Sequence, residues 1–309
     1  MGGLFSFFNK KAKANELLDS GLEKIKQENI EGAIADFTKA IELQSGLVAA
    51  YVSRGEALQK LGRFPAAEAD YTRVIELEPR TADAFYNRGC CRARLGRVEE
   101  AIADYTQAIK ILPRFGKALS DRGVALVSQG LFEAAIEDFT LVLEDDPGDY
   151  RAWYNRGCVY EKLDRNEEAI ADLSRAIELH PLLVPAYRQR GYVYKKLGRN
   201  DKALADYAQA LDFNLDDLDS LRGWAILCNS LGMYDEAIRG YTRYLELSPE
   251  EPEAFYARAS ACFMQRRDEE AKRDFLQYLT MIPENDAYRQ RREEVIGYLA
   301  HIAKNDMDR

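Results

Sequence analysis

Residues 150–183, YRAWYNRGCVYEKLDRNEEAIADLSRAIELHPLL, consist of two amphipathic halves joined by a short turn. In the first half Trp153, Arg156, Gly157 and Tyr160 fall at i, i+3, i+4 and i+7, so they share one face of a helix. Ala169, Leu173, Ala176 and Ile177 form the matching face of a second helix. About four residues around Asp164 to Glu167 lie between them, room only for an antiparallel helical hairpin. Pro181 ends the second helix, because it lacks an N–H and disfavours helical geometry in the residue before it.

Seven relatives of this stretch occupy the rest of the chain. From residue 14 a 34-residue period runs without insertion, giving units 14–47, 48–81, 82–115, 116–149, 150–183, 184–217, 218–251 and 252–285. Position 8 of each unit is small (Gly21, Gly55, Gly89, Gly123, Gly157, Gly191, Ala225, Ala259), and position 20 is always alanine, from Ala33 to Ala271. Position 24 is large: Phe37, Tyr71, Tyr105, Phe139, Leu173, Tyr207, Tyr241 and Phe275. Small residues opposite large ones let two helices interlock at about 8–10 Å between axes. Arginine at position 7 (Arg54, Arg88, Arg122, Arg156, Arg190, Arg258) accompanies aspartate at position 23 (Asp70, Asp104, Asp138, Asp172, Asp206, Asp274). Unit seven loses both at once, with Trp224 and Gly240, which predicts a forked ion pair between the helices of one unit. Proline closes six units; Ser45 and Leu215 replace it in the first and sixth, and Leu215 marks the joint between units six and seven as altered.

This combination of period and residue types resembles the tetratricopeptide repeat family over residues 14–285. The resemblance implies an all-α fold, a right-handed superhelix or α-solenoid of eight helix-turn-helix repeats. It also implies that first helices line a concave groove and second helices form the convex back. Residues 286–309 read as a capping helix and tail: Tyr288, Val295, Leu299 and Ile302 make an apolar stripe, with Arg289, Arg292 and Glu293 facing away.

Composition narrows the function. A formal net charge of −9, from 43 basic and 52 acidic residues, argues against nucleic acid as partner. No apolar run approaches the roughly 20 residues that span a bilayer, and no secretion signal opens the chain, so a cytoplasmic protein, peripheral on a membrane at most, is expected. Cys90, Cys91, Cys158, Cys228 and Cys262 never form CxxC, lie within predicted helices and read as small buried thiols of a reducing compartment. His180 and His301 are isolated, and no nucleotide, hydrolase or metalloprotease motif occurs, so neither catalysis nor a metal or cofactor is expected. Asp212, Asn214 and Asp216 imitate the start of a calcium loop, but Asp217 and Gly223 stand where its glycine and glutamate belong.

A binding surface remains. In the family, positions 2, 5, 6, 9, 12 and 13 of the first helix face the groove. Position 6 runs Asn87, Asp121, Asn155 and Gln189 through repeats three to six, a ladder of groups able to bond an extended backbone. It resembles the asparagine ladder of protein O-linked sugar transferases. Across these repeats the groove positions carry seven cations, Arg94, Lys117, Arg151, Lys162, Arg188, Lys195 and Lys196, against the carboxylates Asp83, Asp121 and Glu161. A basic wall favours an acidic peptide or protein segment, with Tyr86, Tyr154 and Tyr192 as further contacts. The heat-shock chaperone carboxylate clamp of the family is not matched: Tyr86, Cys90, Asp121, Arg151 and Asn155 occupy its positions in repeats three to five. The expected function is a protein-binding scaffold or adaptor. Its alternatives are a non-catalytic targeting subunit of an enzyme complex and a membrane-tethered assembly factor. The last rests on residues 1–13, MGGLFSFFNKKAK, where Gly2 and Ser6 fit a loose acylation pattern and Phe5, Phe7 and Phe8 precede Lys10 and Lys11.

Overall fold

The computed structural model describes the backbone of residues 2–285 and 287–307 and the side chains of residues 9–285 and 287–304. Every regular element among them is a helix. The chain divides into two compact units, Met1–Val159 and Tyr160–Arg309.

The first unit holds α1 (Gly2–Lys26), α2 (Ile30–Leu43), α3 (Val48–Lys60), α4 (Phe64–Leu77), α5 (Ala82–Arg94), α6 (Val98–Ile111), α7 (Gly116–Ser128) and α8 (Phe132–Asp145), and most of α9 (Tyr150–Lys162). The second holds the end of α9, then α10 (Asn166–Leu179), α11 (Val184–Lys196), α12 (Asn200–Phe213), α13 (Leu218–Ser230), α14 (Tyr234–Leu247), α15 (Pro252–Met264), α16 (Asp268–Met281) and α17 (Arg289–Met307). Helix starts repeat with the 34-residue period of the sequence. Residues 2–13, read from sequence as a separate segment, continue the first helix of repeat one, so α1 runs for 25 residues. The side chains of Gly2, Phe5, Phe7 and Phe8 lie outside the described residues; Lys10 and Lys11 are exposed.

Each hairpin turns the same way. Position 15 has positive φ in all eight repeats, as Glu28, Gly62, Gly96, Gly130, Asp164, Gly198, Gly232 and Arg266. The next N–H then reaches back to the carbonyl at position 11, as Arg63 to Leu58 at 2.9 Å, while Gly62 N–H bonds Gln59 at 2.9 Å. These two bonds close the helix end by the Schellman arrangement, which favours glycine at the left-handed residue.

Small residues meet large ones between the helices as the spacing predicts. A methyl group placed on Gly123 would lie 2.8 Å from the ring of Phe139, and one on Gly55 would lie 2.9 Å from Tyr71. Phe37, Tyr71 and Phe139 are fully buried, each such side chain contributing roughly 1.5–3 kcal/mol. In repeat seven the pattern inverts: Gly240 makes room for Ala225 and for the Trp224 indole.

The arginine–aspartate pairs are present and extend further than the sequence reading went. Arg122 donates from Nε and Nη2 to Asp138 at 2.8 and 2.6 Å, and Arg54–Asp70, Arg88–Asp104, Arg190–Asp206 and Arg258–Asp274 repeat the fork. The remaining Nη1 donates to a hydroxyl at position 25 of the preceding repeat: Arg54 to Thr38, Arg88 to Thr72, Arg122 to Thr106, Arg156 to Thr140, Arg190 to Ser174 and Arg258 to Thr242. Arg54, Arg88, Arg122, Arg190 and Arg258 therefore each tie two helices of their own repeat to the repeat before. In repeat one, where position 7 is Ser20, Asp36 accepts instead from Lys24 and Ser20 at 2.5 and 2.7 Å.

The rung is missing between repeats six and seven, where Ala208 and Trp224 replace hydroxyl and arginine. Trp224 packs there beside Leu204 and Tyr194 against the Tyr207 cluster. Arg188 and Arg243 staple the same joint through Asp217 at 2.6 Å and Asp216 at 2.5 Å. Of the calcium-loop imitation, Asp212 lies in the last turn of α12 and Asn214 and Asp216 lie in the connecting loop, where Asp217 caps α13 by accepting from Ser220 N–H.

At the C-terminus α17 covers the open side of repeat eight. Val295 and Ile302 are fully buried, and Tyr298 stacks on Phe275 with ring centroids 5.2 Å apart. Arg292 does not face away as its spacing suggested. It donates to the carbonyls of Leu279 and Ile282 and to Glu284, because the end of α16 leaves those carbonyls without helical partners.

Candidate binding face

The sequence-selected residues sit on first helices in both units. In the first unit Tyr86, Asn87 and Arg94 lie on α5, Lys117 and Asp121 on α7, and Arg151, Tyr154 and Asn155 on α9. Five of them, Tyr86, Lys117, Asp121, Arg151 and Asn155, line one cavity of about 520 Å³, together with Arg114 and Val124. A neighbouring cavity of about 440 Å³ is lined by Tyr86, Cys90, Arg94, Asp121 and Val124. Asn87 and Tyr154 line neither cavity; both are half-buried.

Asp121 is the hinge of this face. It accepts from the Tyr86 hydroxyl at 2.9 Å, and Cys90 Sγ lies 3.9 Å from the same oxygen. Burial, then the nearby Cys90 and Asp121, push the Tyr86 phenol well above its ordinary range, so it stays protonated and donates. Burial likewise raises the Cys90 thiol, which is therefore a poor nucleophile. The Tyr86 ring rests on Phe115 at 5.1 Å and Tyr105 at 5.9 Å, which holds its hydroxyl over α7. Thus Tyr86, Cys90 and Asp121, standing where the chaperone clamp would have lysine and asparagines, are engaged with one another.

Commitment of the polar groups differs along the face. Among the described residues the side-chain amides of Asn87 and Asn155 have no hydrogen-bond partner, and Arg94 and Lys117 have no ion pair. Arg151 bonds only the Tyr150 hydroxyl, at 3.2 Å, and lies over that ring. In the second unit, Lys162 and Lys195 are also without an ion pair, and Tyr192 is exposed. Arg188 is held by Asp217, Gln189 donates to Glu161 at 3.4 Å, and Lys196 pairs with Glu161 at 3.2 Å and with Asp164. Asp217 and Asp164 lie in connecting segments outside the counted groove positions, whereas Glu161 was one of the three carboxylates counted; a sum of charges over the groove did not show that Arg188 and Lys196 are already engaged. In repeat seven, position 6 is Gly223, where any Cβ would lie 2.8 Å from the Tyr207 ring of the repeat before.

Of the five thiols expected to be buried, Cys91, Cys228 and Cys262 are, and burial pushes each up to about 11; Cys90 and Cys158 are only half-buried. No cluster of three or more metal-ligating side chains and no helix long and apolar enough to cross a membrane occurs among the described residues.

Sequence models described as tetratricopeptide repeat match residues 52–114, 150–181, 184–217 and 230–286. No curated protein matches the chain. Among solved structures, the chain is similar to YrrB, described as a TPR protein with an unusual peptide-binding site. The two are 25% identical, with a TM-score of 0.51, over 55% of this chain and 88% of that one. It is also similar to MamA (22% identity, TM-score 0.52, 55% of this chain and 92% of that one). A tetratricopeptide repeat protein from Parabacteroides merdae matches at 20% identity and a TM-score of 0.60, over 81% of this chain and 98% of that one.

Proposed function

The chain belongs to the tetratricopeptide repeat family, and from that premise we propose that it is a non-catalytic scaffold holding an extended, acidic segment of a partner protein against the first helices of repeats three to five. One observation carries this reading: among the described residues Asn87, Arg94, Lys117 and Asn155 of α5, α7 and α9 have no side-chain polar partner, and Arg151 bonds only the Tyr150 hydroxyl. Asn87 and Asn155 offer amides that can both donate to and accept from a peptide backbone, and Arg94, Lys117 and Arg151 offer charge that no protein carboxylate has taken. Had these groups served only to join neighbouring helices, they would be engaged as Arg188, Gln189 and Lys196 are in the second unit. The likeness to YrrB, whose own peptide-binding site is named in its description, supports the same reading.

The test is affinity capture with mass spectrometry, comparing the wild-type chain with an Asn87→Ala/Asn155→Ala/Arg151→Ala variant. These side chains are partly or fully exposed, so the melting profile should be unchanged while a specific partner is lost. A partner retained at wild-type yield by a folded variant overturns the proposal. A second reading, attachment to a membrane through residues 1–13, is favoured by the helical extension of α1 and its exposed Lys10 and Lys11. Deleting residues 2–13 without changing liposome flotation removes it.

A further inference from the structure

We infer that the hairpin-turn edge between repeats three and four is a second docking surface, which takes an arginine sitting beside an apolar side chain on a partner protein. Along this edge the residue at position 16 of one repeat reaches the acid at position 18 of the repeat before. Arg63 donates from Nη1 and Nη2 to Glu31 at 3.1 and 2.5 Å, Arg199 repeats the fork on Glu167, and Arg267 lies 4.0 Å from Asp235. Where the preceding position 18 is Pro65, Arg97 moves to Glu68 instead. Repeat four breaks the series: position 16 is Leu131, 53% exposed. Glu99, the acid an arginine there would meet, has no hydrogen bond or ion pair among the described residues, and neither has Glu133, two residues beyond Leu131. The distance across the gap follows from the repeat itself. Helices α6 and α8 begin at Val98 and Phe132 as α2 and α4 begin at Ile30 and Phe64, so Leu131 stands from Glu99 as Arg63 stands from Glu31, one arginine side chain away.

The surroundings are acidic by formal count. Arg92 and Arg97 pair with Glu68 and Glu100, and Arg88 and Arg92 pair with Asp104. Glu99, Glu133 and Arg94 remain, each without an ion pair, and Arg94 lines the cavity of Tyr86 and Asp121. With no charge discounted, the carboxylates Glu68, Glu99, Glu100, Asp104 and Glu133 outnumber the cations Arg88, Arg92, Arg94 and Arg97 by the one that Leu131 replaces. Met233 opens the same rung in repeat seven, but there Lys202 follows the acid, Asp201, whereas Glu100 follows Glu99. The missing part defines the ligand. A guanidinium forks onto a carboxylate, as Arg63 does, while its aliphatic stem can lie along Leu131. An exposed ion pair contributes little by itself. Leu131, with Leu95 at 38% exposure in the turn that leads to Glu99, offers apolar surface for the arginine's neighbour to cover.

The experiment is fluorescence anisotropy on the full chain with a labelled short glycine–serine peptide carrying two arginines that flank one leucine. Control peptides carry glutamates for the arginines or serine for the leucine. The wild type is expected to bind the first peptide about fivefold more tightly than either control. Leu131→Arg, which fills the rung from within the chain, and Glu99→Gln should each reduce binding to the control level without lowering the melting temperature. Leu215→Arg, the same charge change at a 70% exposed leucine of the second unit, should bind as the wild type does, and so should Asn87→Ala/Asn155→Ala/Arg151→Ala. Unchanged affinity in folded Leu131→Arg or Glu99→Gln overturns the inference. Equal loss in Leu215→Arg, loss in the triple variant, equal binding of the controls, or no binding by the wild type overturns it too. None of these results decides the groove reading, which stands or falls on the partner capture.

Discussion

Replacing Arg122 with alanine tests the ladder that runs between repeats. Arg122 forks onto Asp138, which is 2% exposed, and reaches Thr106 of the preceding repeat at 3.1 Å. Truncation leaves a buried carboxylate without its ion partner, a loss of about 3–5 kcal/mol. Removing only the outer contact, as Thr106→Val, should cost about 1 kcal/mol, the worth of one hydrogen bond at a more open site. Replacing both charged partners, as Arg122→Met/Asp138→Leu, removes the orphan and should fall within about 1 kcal/mol of wild type. Repeat arrays couple mainly through nearest neighbours, so a global denaturation midpoint would blur the effect. Native-state hydrogen exchange followed by mass spectrometry resolves it, as opening free energies in α6, α7 and α8. The reasoning fails if Arg122→Ala lowers protection there by less than about 1 kcal/mol, or if the double variant is as damaged as the single.

Other consequences are smaller or more local. Arg266 holds φ at 56° where five repeats place glycine, so Arg266→Gly should stabilise the α15–α16 hairpin by about 0.5–1 kcal/mol in exchange protection, and loss of protection would contradict the strain argument. Hydrogen bonds from Lys24 and then Ser20 hold the Asp36 carboxyl below its ordinary range. Its stabilising contribution is therefore complete above the unfolded aspartate pKa of about 3.9 and is lost as pH falls through the lower folded value. Asp36→Asn should remove that acid-induced loss from an exchange or melting profile of the first hairpin, and an unchanged acid limb would exclude the pair as its source. Ile302, fully buried on the inner face of α17, should cost about 2–5 kcal/mol as alanine, read as weakened protection of α15 and α16 with α3–α6 unaffected.

Most of the helical frame was legible because the period never slips: small residues at positions 8 and 20 and large ones at 24 predict the hairpin and its packing. The hydroxyl at position 25 carried an equally readable signal. It is Thr or Ser before every repeat that has the position 7 arginine, and Ala208 before the repeat that lacks it. Aligning residues within one repeat hides a bond made to the next. For the binding face, Tyr86, Lys117, Asp121, Arg151 and Asn155 do converge on one cavity. Helical periodicity says which way a side chain points and nothing about what meets it, so the engagement of Arg188, Lys196 and Arg292 by residues outside their own helix was not readable.

The rung that Trp224 replaces gives the array one joint with a different thermal response. Forked ion pairs elsewhere impose fixed geometry, whereas the indole packed on Leu204 and Tyr207 is held by apolar contact, which fades on cooling and tolerates sliding. Cold should therefore loosen the link between repeats six and seven before the others, and the Arg188 and Arg243 staples across it, being partly exposed, yield to salt. A chain of nearly identical links thus contains one whose stiffness is set by temperature and ionic strength.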